Sequence, residues 1–120
     1  MTNKVIGKYG EELAKDFLTK KGYEILEMNY HYSRVAEIDI IAAKSGVLHF
    51  IEVKTRTQEF FGTPMEAITP AKLRQIFSCA IAYLNKNNKK YKAYKIDAIG
   101  IVLDGKKIKK LDFIEDISLN

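Results

Sequence analysis

The chain has 120 residues, of which 47% are hydrophobic and 29% charged, so we expect one folded domain spanning residues 1–120 rather than a disordered chain. No apolar run approaches the roughly 18 residues that cross a bilayer, the N-terminus lacks a signal-peptide core, and Cys79 is the single cysteine; these features predict a cytoplasmic protein without a membrane partner. The net charge of +5 is compatible with a polyanionic partner and equally with a lysine-rich soluble surface.

The first predicted element is an amphipathic helix, capped by Thr2 or Asn3 and ended by Gly22. Apolar residues recur at helical spacing along one stripe: Ile6, Tyr9, Leu13, Ala14 and Phe17. Gly7 and Gly10 lie inside the helix, where each costs roughly 1 kcal/mol relative to alanine. We interpret them as points at which another backbone or a ligand approaches the helix closely.

A first strand is predicted over Tyr23–Tyr32, with Met28 turned inward after a slip or bulge. The segment that follows is polar and aromatic and contains Arg34. Its tyrosines and Arg34 are placed either to contact a nucleic-acid backbone and stack on bases, or to cover the rim of a small core.

A hairpin formed by the runs 36–43 and 48–54 follows, because both runs alternate apolar and polar residues in strand rhythm. A two-residue turn at Ser45-Gly46 gives a pairing sum of about 91 and sets Asp39 directly opposite Glu52. Two opposed carboxylates repel each other in a sheet, so this pair predicts a nearby cation.

The same register sets Glu37 opposite Lys54, at the end of the hairpin far from its turn. Glu37 is therefore expected to pair with Lys54 or to support the site from beside it. The same residues could instead form a ladder of salt bridges between the two strands, which is the alternative to a metal site.

A second helix is predicted to begin at Thr69-Pro70, a capping hydroxyl followed by proline, and to end at Asn87. Lys72 and Gln75 share a polar flank near its N-terminus, where free N–H groups favour a phosphate. From Ala67 through Ile96 the chain has no acidic residue, while its basic residues there are Lys72, Arg74, Lys86, Lys89, Lys90, Lys92 and Lys95.

Two strands, over 94–103 and 108–113, complete the chain and are joined by a turn at Asp104-Gly105. The order of one helix, three strands, one helix and two strands predicts an α/β architecture with a mixed sheet.

Asp39, Glu52 and Lys54, with Glu11 from the first helix, form a set that phosphodiester hydrolysis requires. Mg²⁺ prefers oxygen ligands and keeps several waters, so a few carboxylates suffice to bind it. A lysine near the ion can stabilise the charge that develops during the reaction. From the residues alone, a metal site and a structural charge cluster remain equally open.

No zinc site is expected, because His31 and His49 lack partners at ligand spacing in the sequence. His49 alternates onto the face opposite Glu52, so we interpret it as structural or exposed. A serine or cysteine triad is not supported either.

Several stretches resemble the core of the PD-(D/E)XK nuclease superfamily. They are Glu-Ile-Asp at 37–39, Phe-Ile-Glu-Val-Lys-Thr-Arg at 50–56 and Gly-x-x-Gly-Glu-x-x-Ala at 7–14, with Phe-Gly-x-Pro at 61–64 and Lys72 downstream. Together they resemble the small bacterial YraN-like family, which is similar to archaeal Holliday junction resolvases.

The resemblance implies a restriction-endonuclease-like αβββαβ core, a mixed central sheet flanked by helices. The catalytic residues that it implies are Asp39, Glu52, Lys54 and Glu11, and the metal ligands among them are Asp39, Glu52 and Glu11. Supporting positions are Glu37, Lys72 and Gln75. The residues expected to bind nucleic acid are Arg34, Arg56, Lys72 and Arg74. Asp97 matches a recurrent acidic position of the family, without an assignable role.

We therefore expect a metal-dependent deoxyribonuclease, with Mg²⁺ as cofactor and Mn²⁺ as a substitute, that hydrolyses DNA in branched intermediates of recombination or repair. Branched DNA has approximate two-fold symmetry, which favours a homodimer, with Phe60-Phe61 as a candidate interface. The alternative is a non-catalytic nucleic-acid-binding or DNA-repair accessory module that retains the nuclease fold. A third possibility is a protein-interaction domain whose acid cluster is structural.

Overall fold

The structure, a computed structural model, describes residues 2–34, 36–57, 64–87 and 91–117. Its elements in chain order are α1 (Asn3–Lys20), β1 (Glu24–His31), β2 (Glu37–Lys44), β3 (Val47–Arg56), a 3₁₀ turn (Pro64–Ala67), α2 (Pro70–Lys86), β4 (Ala93–Asp104) and β5 (Lys107–Ile114). None of the helices in these ranges is long and apolar enough to cross a membrane. The element order and class agree with the predicted restriction-endonuclease-like α/β core. Residues 60–61, the candidate dimer interface, lie outside the described residues.

Both helices begin where their capping residues predict. The hydroxyl of Thr2 accepts a hydrogen bond from the N–H of Val5 at 3.2 Å, and that of Thr69 accepts one from the N–H of Lys72 at 3.1 Å. Pro70 then opens α2. A capping hydroxyl satisfies one of the N–H groups that the first turn leaves without a partner, which fixes the helix start.

The five strands form one sheet in the order β1-β2-β3-β4-β5. β3 and β4 are parallel and the other neighbours are antiparallel, so the sheet is mixed as predicted. Parallel neighbours need a crossover, and α2 provides it. One core packs against α1 and includes Leu18 and Ile51, and a second packs against α2 and includes Phe50 and Ile76.

The register of the central hairpin is the predicted one. Ile40 pairs with Ile51, which gives the pairing sum of 91, and the two strands are joined through Ser45 and Gly46. These two residues have φ of 52° and 78°, the left-handed values that a type I′ turn requires at both central positions. A turn of two residues therefore directs Asp39 toward β3, as predicted.

Strict alternation along β2, by contrast, fails at Asp39. Ile38 and Ile41 pack in the core against α2, whereas Ile40 packs in the core against α1. An uninterrupted strand would place Ile38 and Ile40 on the same face. In the neighbouring strand, Asn29 lies between the positions paired with these two isoleucines and has a left-handed φ of 53°. The sheet is thus locally twisted at the end that carries the acidic residues.

The described residues of the basic segment lie in two separate places, and Lys89 and Lys90 are outside the described ranges. Lys72 and Arg74 lie near the start of α2, whereas Lys92 lies against the β2–β3 turn and donates its N–H to the carbonyl of Gly46 at 2.9 Å. Most of α2, whose 17 residues span about 25 Å, separates Arg74 from Lys92. Only the first part of the segment is therefore near the acidic residues.

Candidate metal centre

Asp39 lies buried where the ladder between β2 and β3 ends. Its exposed fraction is 9%, and the last paired residues on either side are Ile40 and Ile51. Beyond them the N–H of Val53 donates to Oδ2 of Asp39 at 2.8 Å. The side-chain carboxylate thus accepts from the partner strand, and this contact fixes its position.

Glu52 is 2% exposed, and one of its oxygens forms ion pairs with both lysines of the site. Oε2 lies 3.4 Å from Nζ of Lys72 and 3.7 Å from Nζ of Lys54. Oε1 is buried and has no hydrogen-bond partner among the described residues. An unpaired buried polar atom is destabilising by about 1–3 kcal/mol, so this oxygen is suited to a cation that prefers oxygen ligands.

Burial and the neighbouring carboxylates raise the pKa of Asp39 from 3.8 to about 9. Loss of hydration is the largest cause, followed by the charge of Glu52 and a hydrogen bond with it, while the N–H of Val53 acts in the opposite direction and Glu11 adds a smaller increase. At neutral pH the Asp39–Glu52 pair therefore retains one proton. A cation bound between the two groups would displace it.

Glu11 lies on α1 near this pair, but its carboxylate is hydrogen-bonded to Asn29. Its Oε1 accepts a hydrogen bond from Nδ2 of Asn29 at 2.8 Å, and it acts on Asp39 through its charge. The structure thus brings Asp39 and Glu52 into contact and places Glu11 beside them. Its role as a third metal ligand remains a prediction.

Asn29 is the residue of this region that sequence reasoning missed. Its amide donates to Glu11 and, at 3.1 Å, to Oε1 of Glu37, while its Oδ1 accepts from Nζ of Lys8 at 3.3 Å. Asparagine adopts the left-handed conformation more readily than most residues, which suits its φ of 53°. The sequence feature that could have indicated its role is an asparagine directly after Met28, because a slip or bulge in the strand is expected there.

The expected pairing of Glu37 with Lys54 is wrong. Glu37 contacts Asn29 and lies 3.8 Å from Nε2 of His31, its partner in β1. Lys54 instead pairs with Glu52. The ladder between β2 and β3 stops before reaching these two residues, so the cross-strand contact is not made.

Of the five remaining predicted residues, one contacts the acidic pair and four are exposed. Lys72 contacts Glu52 directly, in agreement with a supporting role from α2. Gln75, one turn further along α2, is exposed. Three arginines expected to bind nucleic acid are exposed as well, namely Arg34, Arg56 and Arg74.

A second polar cluster surrounds His49, on the α1 face of the sheet. His49 and Asp97 are 4% and 0% exposed, and Nδ1 of His49 is hydrogen-bonded to Asp97. The other oxygen of Asp97 accepts from the N–H of Asp116 at 2.8 Å, and Tyr23 donates to Glu115 at 3.2 Å. The segment after β5 is thereby attached to the sheet.

His49, Asp97 and Glu115 place their ligand atoms within 4.8 Å of one another, so the expectation that His49 has no partner at ligand spacing is wrong. The partners come from β4 and from the segment after β5, distant in sequence. Because both oxygens of Asp97 are already hydrogen-bonded within the protein, we interpret the cluster as structural.

Comparison with known proteins decides the family. The family model described as "Uncharacterised protein family UPF0102" matches residues 10–101, a range that contains the acidic pair, both lysines and Glu11. The chain belongs to this family. It is the YraN-like family that the sequence resembles, so the predicted membership is confirmed.

UPF0102 proteins from several bacteria are similar to the chain over most of its length. A relative from Clostridium perfringens is 43% identical over 116 residues, which is 95% of this chain and 93% of the relative. One from Syntrophomonas wolfei is 42% identical and covers 87% of this chain and 90% of the relative. One from Dictyoglomus thermophilum is 45% identical and covers 86% of both chains. Their shared name designates the family.

Proposed function

We propose that this protein is a Mg²⁺-dependent endonuclease that hydrolyses DNA phosphodiester bonds. The observation that carries the proposal is the buried Asp39–Glu52 pair. Oε1 of Glu52 has no hydrogen-bond donor among the described residues, and Oε2 is flanked by Lys54 and Lys72. Two carboxylates in contact are unfavourable without a cation or a shared proton.

The donor atoms fit a divalent cation that prefers oxygen. Asp39 and Glu52 would hold Mg²⁺, or Mn²⁺ in its place, and Glu11 would approach from α1. When bound, such an ion neutralises charge that develops on the phosphoryl group under attack.

The protein's own groups prepare the site in three ways. The N–H of Val53 orients Asp39, which keeps its carboxylate directed toward Glu52. Glu52 holds the ammonium groups of Lys54 and Lys72 close together, where they stabilise negative charge on the phosphate. The N-terminus of α2, two residues before Lys72, adds partial positive charge near this lysine.

DNA would approach across the exposed arginines around the site. Arg34, Arg56 and Arg74 are exposed and lie on three different elements or loops. Contacts of this kind with phosphates give affinity without sequence preference and weaken as salt rises. Branched recombination or repair intermediates and a homodimer belong to the proposal through the family resemblance alone.

The test is cleavage of single-stranded, duplex and four-way DNA with Mg²⁺ and with EDTA. Asp39→Asn removes a carboxylate that would bind the ion, at nearly constant side-chain shape, and Lys54→Ala removes the lysine. Glu12→Ala is the matched control, because Glu12 is an exposed carboxylate one residue from Glu11 on α1. The proposal requires loss of cleavage in the first two variants and none in the third, whereas equal cleavage by all four proteins would identify a contaminant.

A DNA-binding module without catalysis is the second candidate. It is favoured by the contacts that Asp39 and Glu52 already make within the protein, with Val53 and the two lysines. This candidate requires salt-dependent DNA binding that Asp39→Ala leaves unchanged, together with no cleavage of any DNA by the wild-type protein.

A further inference from the structure

A cavity of about 430 Å³ lies beside the candidate metal centre, between the start of α1 and the end of β3. Lys54, whose ammonium group contacts Glu52, is one of its lining residues, so the cavity adjoins the acidic pair. Arg56 and Thr57 continue the wall along the chain, and Asn3 and Gly7 form the wall on the helix side. Its volume lies in the range of sites for small organic groups, well above that of a single water.

The two glycines of α1 differ in what lies over them. A Cβ on Gly10 would lie 2.8 Å from Cβ of Thr55 and even closer to its hydroxyl oxygen, so close packing of α1 on β3 explains that glycine. A Cβ on Gly7 would meet no atom of the described residues within 4 Å. Glycine inside a helix is unfavourable by up to about 1 kcal/mol, and at Gly7 no packing contact with these residues accounts for it. What lies over Gly7 is the cavity.

The lining of the cavity has the composition that a nucleotide requires. Lys54 and Arg56 supply positive charge, and none of the lining residues that the structure describes is acidic. Asn3 lies in the first turn of α1, where N–H groups without helical partners add partial positive charge. Ile6 and Val53 supply an apolar wall for a sugar or base.

We propose that this cavity binds the nucleotide adjacent to the scissile phosphodiester, with its phosphate against Arg56 and the start of α1 and its sugar over Gly7. The inference rests on the proposed nuclease function, because Lys54 links the cavity to the metal centre. It assigns to Gly7 the role of keeping the helix surface bare for the DNA strand. The DNA must then extend at least one nucleotide beyond the cut on the side of α1.

The test compares Gly7→Ala with Gly7→Leu. Alanine and leucine have similar helix propensities, so both variants should fold at least as stably as the wild type, but only leucine projects far into the cavity. Binding of fluorescein-labelled DNA, single-stranded and duplex, is measured by anisotropy in EDTA, so that no hydrolysis occurs. Gly7→Leu should weaken binding about tenfold near 0.1 M salt, as expected for one lost phosphate contact, and Gly7→Ala, whose methyl group fills much less of the cavity, should weaken it by a smaller factor.

A second pair of variants keeps the test independent of the helix. Arg56→Gln should weaken binding by a similar factor and lower the slope of log affinity against log salt by about one. Lys86→Gln is its matched control, since Lys86 is an exposed lysine at the far end of α2. Equal losses in these two variants would mean diffuse attraction and overturn the assignment.

The failure of this inference can be distinguished from failure of the nuclease proposal. If the wild type cleaves DNA and Gly7→Leu binds and cleaves as the wild type does, the cavity is not a nucleotide site and the nuclease stands. If Gly7→Leu weakens binding but the wild type cleaves no DNA, the nuclease proposal is refuted, and with it the placement next to a scissile bond.

Discussion

Gly10 of α1 and Thr55 of β3 pack so closely that an ideal Cβ on residue 10 would lie 2.8 Å from Cβ of Thr55. This contact joins α1 to the sheet. Thr55 directly follows Lys54 on β3, and Gly10 directly precedes Glu11 on α1. The position of the helix carboxylate relative to the acidic pair therefore depends on a glycine.

Gly10→Ala should destabilise the protein by about 1–3 kcal/mol, because the helix or the strand must shift to accommodate the methyl group. Gly7→Ala is the matched control and should be neutral or stabilising by up to about 1 kcal/mol, since its methyl group meets open space. Urea unfolding measures both. Equal stabilisation by the two substitutions would mean that the packing at Thr55 is looser than described.

The stability of the metal-free protein should fall as pH rises from about 4 to about 9. The pKa of Asp39 is raised to about 9 in the folded protein, so between its unfolded value of 3.8 and this value the folded state binds more protons than the unfolded state. Unfolding then releases a proton, and higher pH favours it. Denaturant unfolding at several pH values in EDTA measures the effect, which Asp39→Asn should flatten; an unchanged slope in that variant would assign it to other groups.

Cation binding should release about one proton per protein at pH 7 and should strengthen with pH. The reason is the same raised pKa, since Asp39 must lose its proton before it can bind a metal. Calorimetric titration with Mn²⁺ in two buffers of different ionisation enthalpy counts the protons. Binding without proton release would show that Asp39 is already ionised or is not a ligand.

Lys54→Met should reduce the cleavage rate about 100-fold while leaving Mn²⁺ affinity equal or higher. Lysine stabilises charge that develops on the phosphate, a contribution of the size of one oxyanion donor, whereas its positive charge near Glu52 opposes a cation. Single-turnover cleavage and Mn²⁺ titration separate the two effects. Loss of metal affinity in this variant would instead identify a structural role for Lys54.

Asp97→Ala should destabilise the protein by about 3 kcal/mol without affecting cleavage per folded molecule. The substitution leaves His49 and the N–H of Asp116 without their buried partner. Thermal unfolding and cleavage at a temperature where the variant is folded measure the two quantities. A specific loss of cleavage in folded protein would mean that this cluster takes part in the reaction.

The hairpin register could be predicted from the sequence because it depends on local features. Ser45-Gly46 fixes a two-residue turn, and the period of two then decides which residues face each other. The helix starts at Thr2 and Thr69 were predictable for the same reason, because each depends on a capping hydroxyl within the next turn.

The contacts of Glu37 and His49 could not be predicted, because they depend on distant parts of the chain. Glu37 is held by Asn29, whose left-handed backbone interrupts the alternation that the sequence suggested for both strands. His49 contacts Asp97 because β3 pairs with β4 in parallel. The helix α2 separates these two strands in the sequence, so the spacing of neighbouring residues does not indicate this pairing.

The central claim is that Asp39 and Glu52 bind a metal ion, and anomalous diffraction from crystals soaked in Mn²⁺ tests it most directly. We expect an anomalous peak about 2.2 Å from one oxygen of each carboxylate, including Oε1 of Glu52, which has no hydrogen-bond partner among the described residues. An anomalous peak at the His49–Asp97–Glu115 cluster alone, or none at the acidic pair, would contradict it.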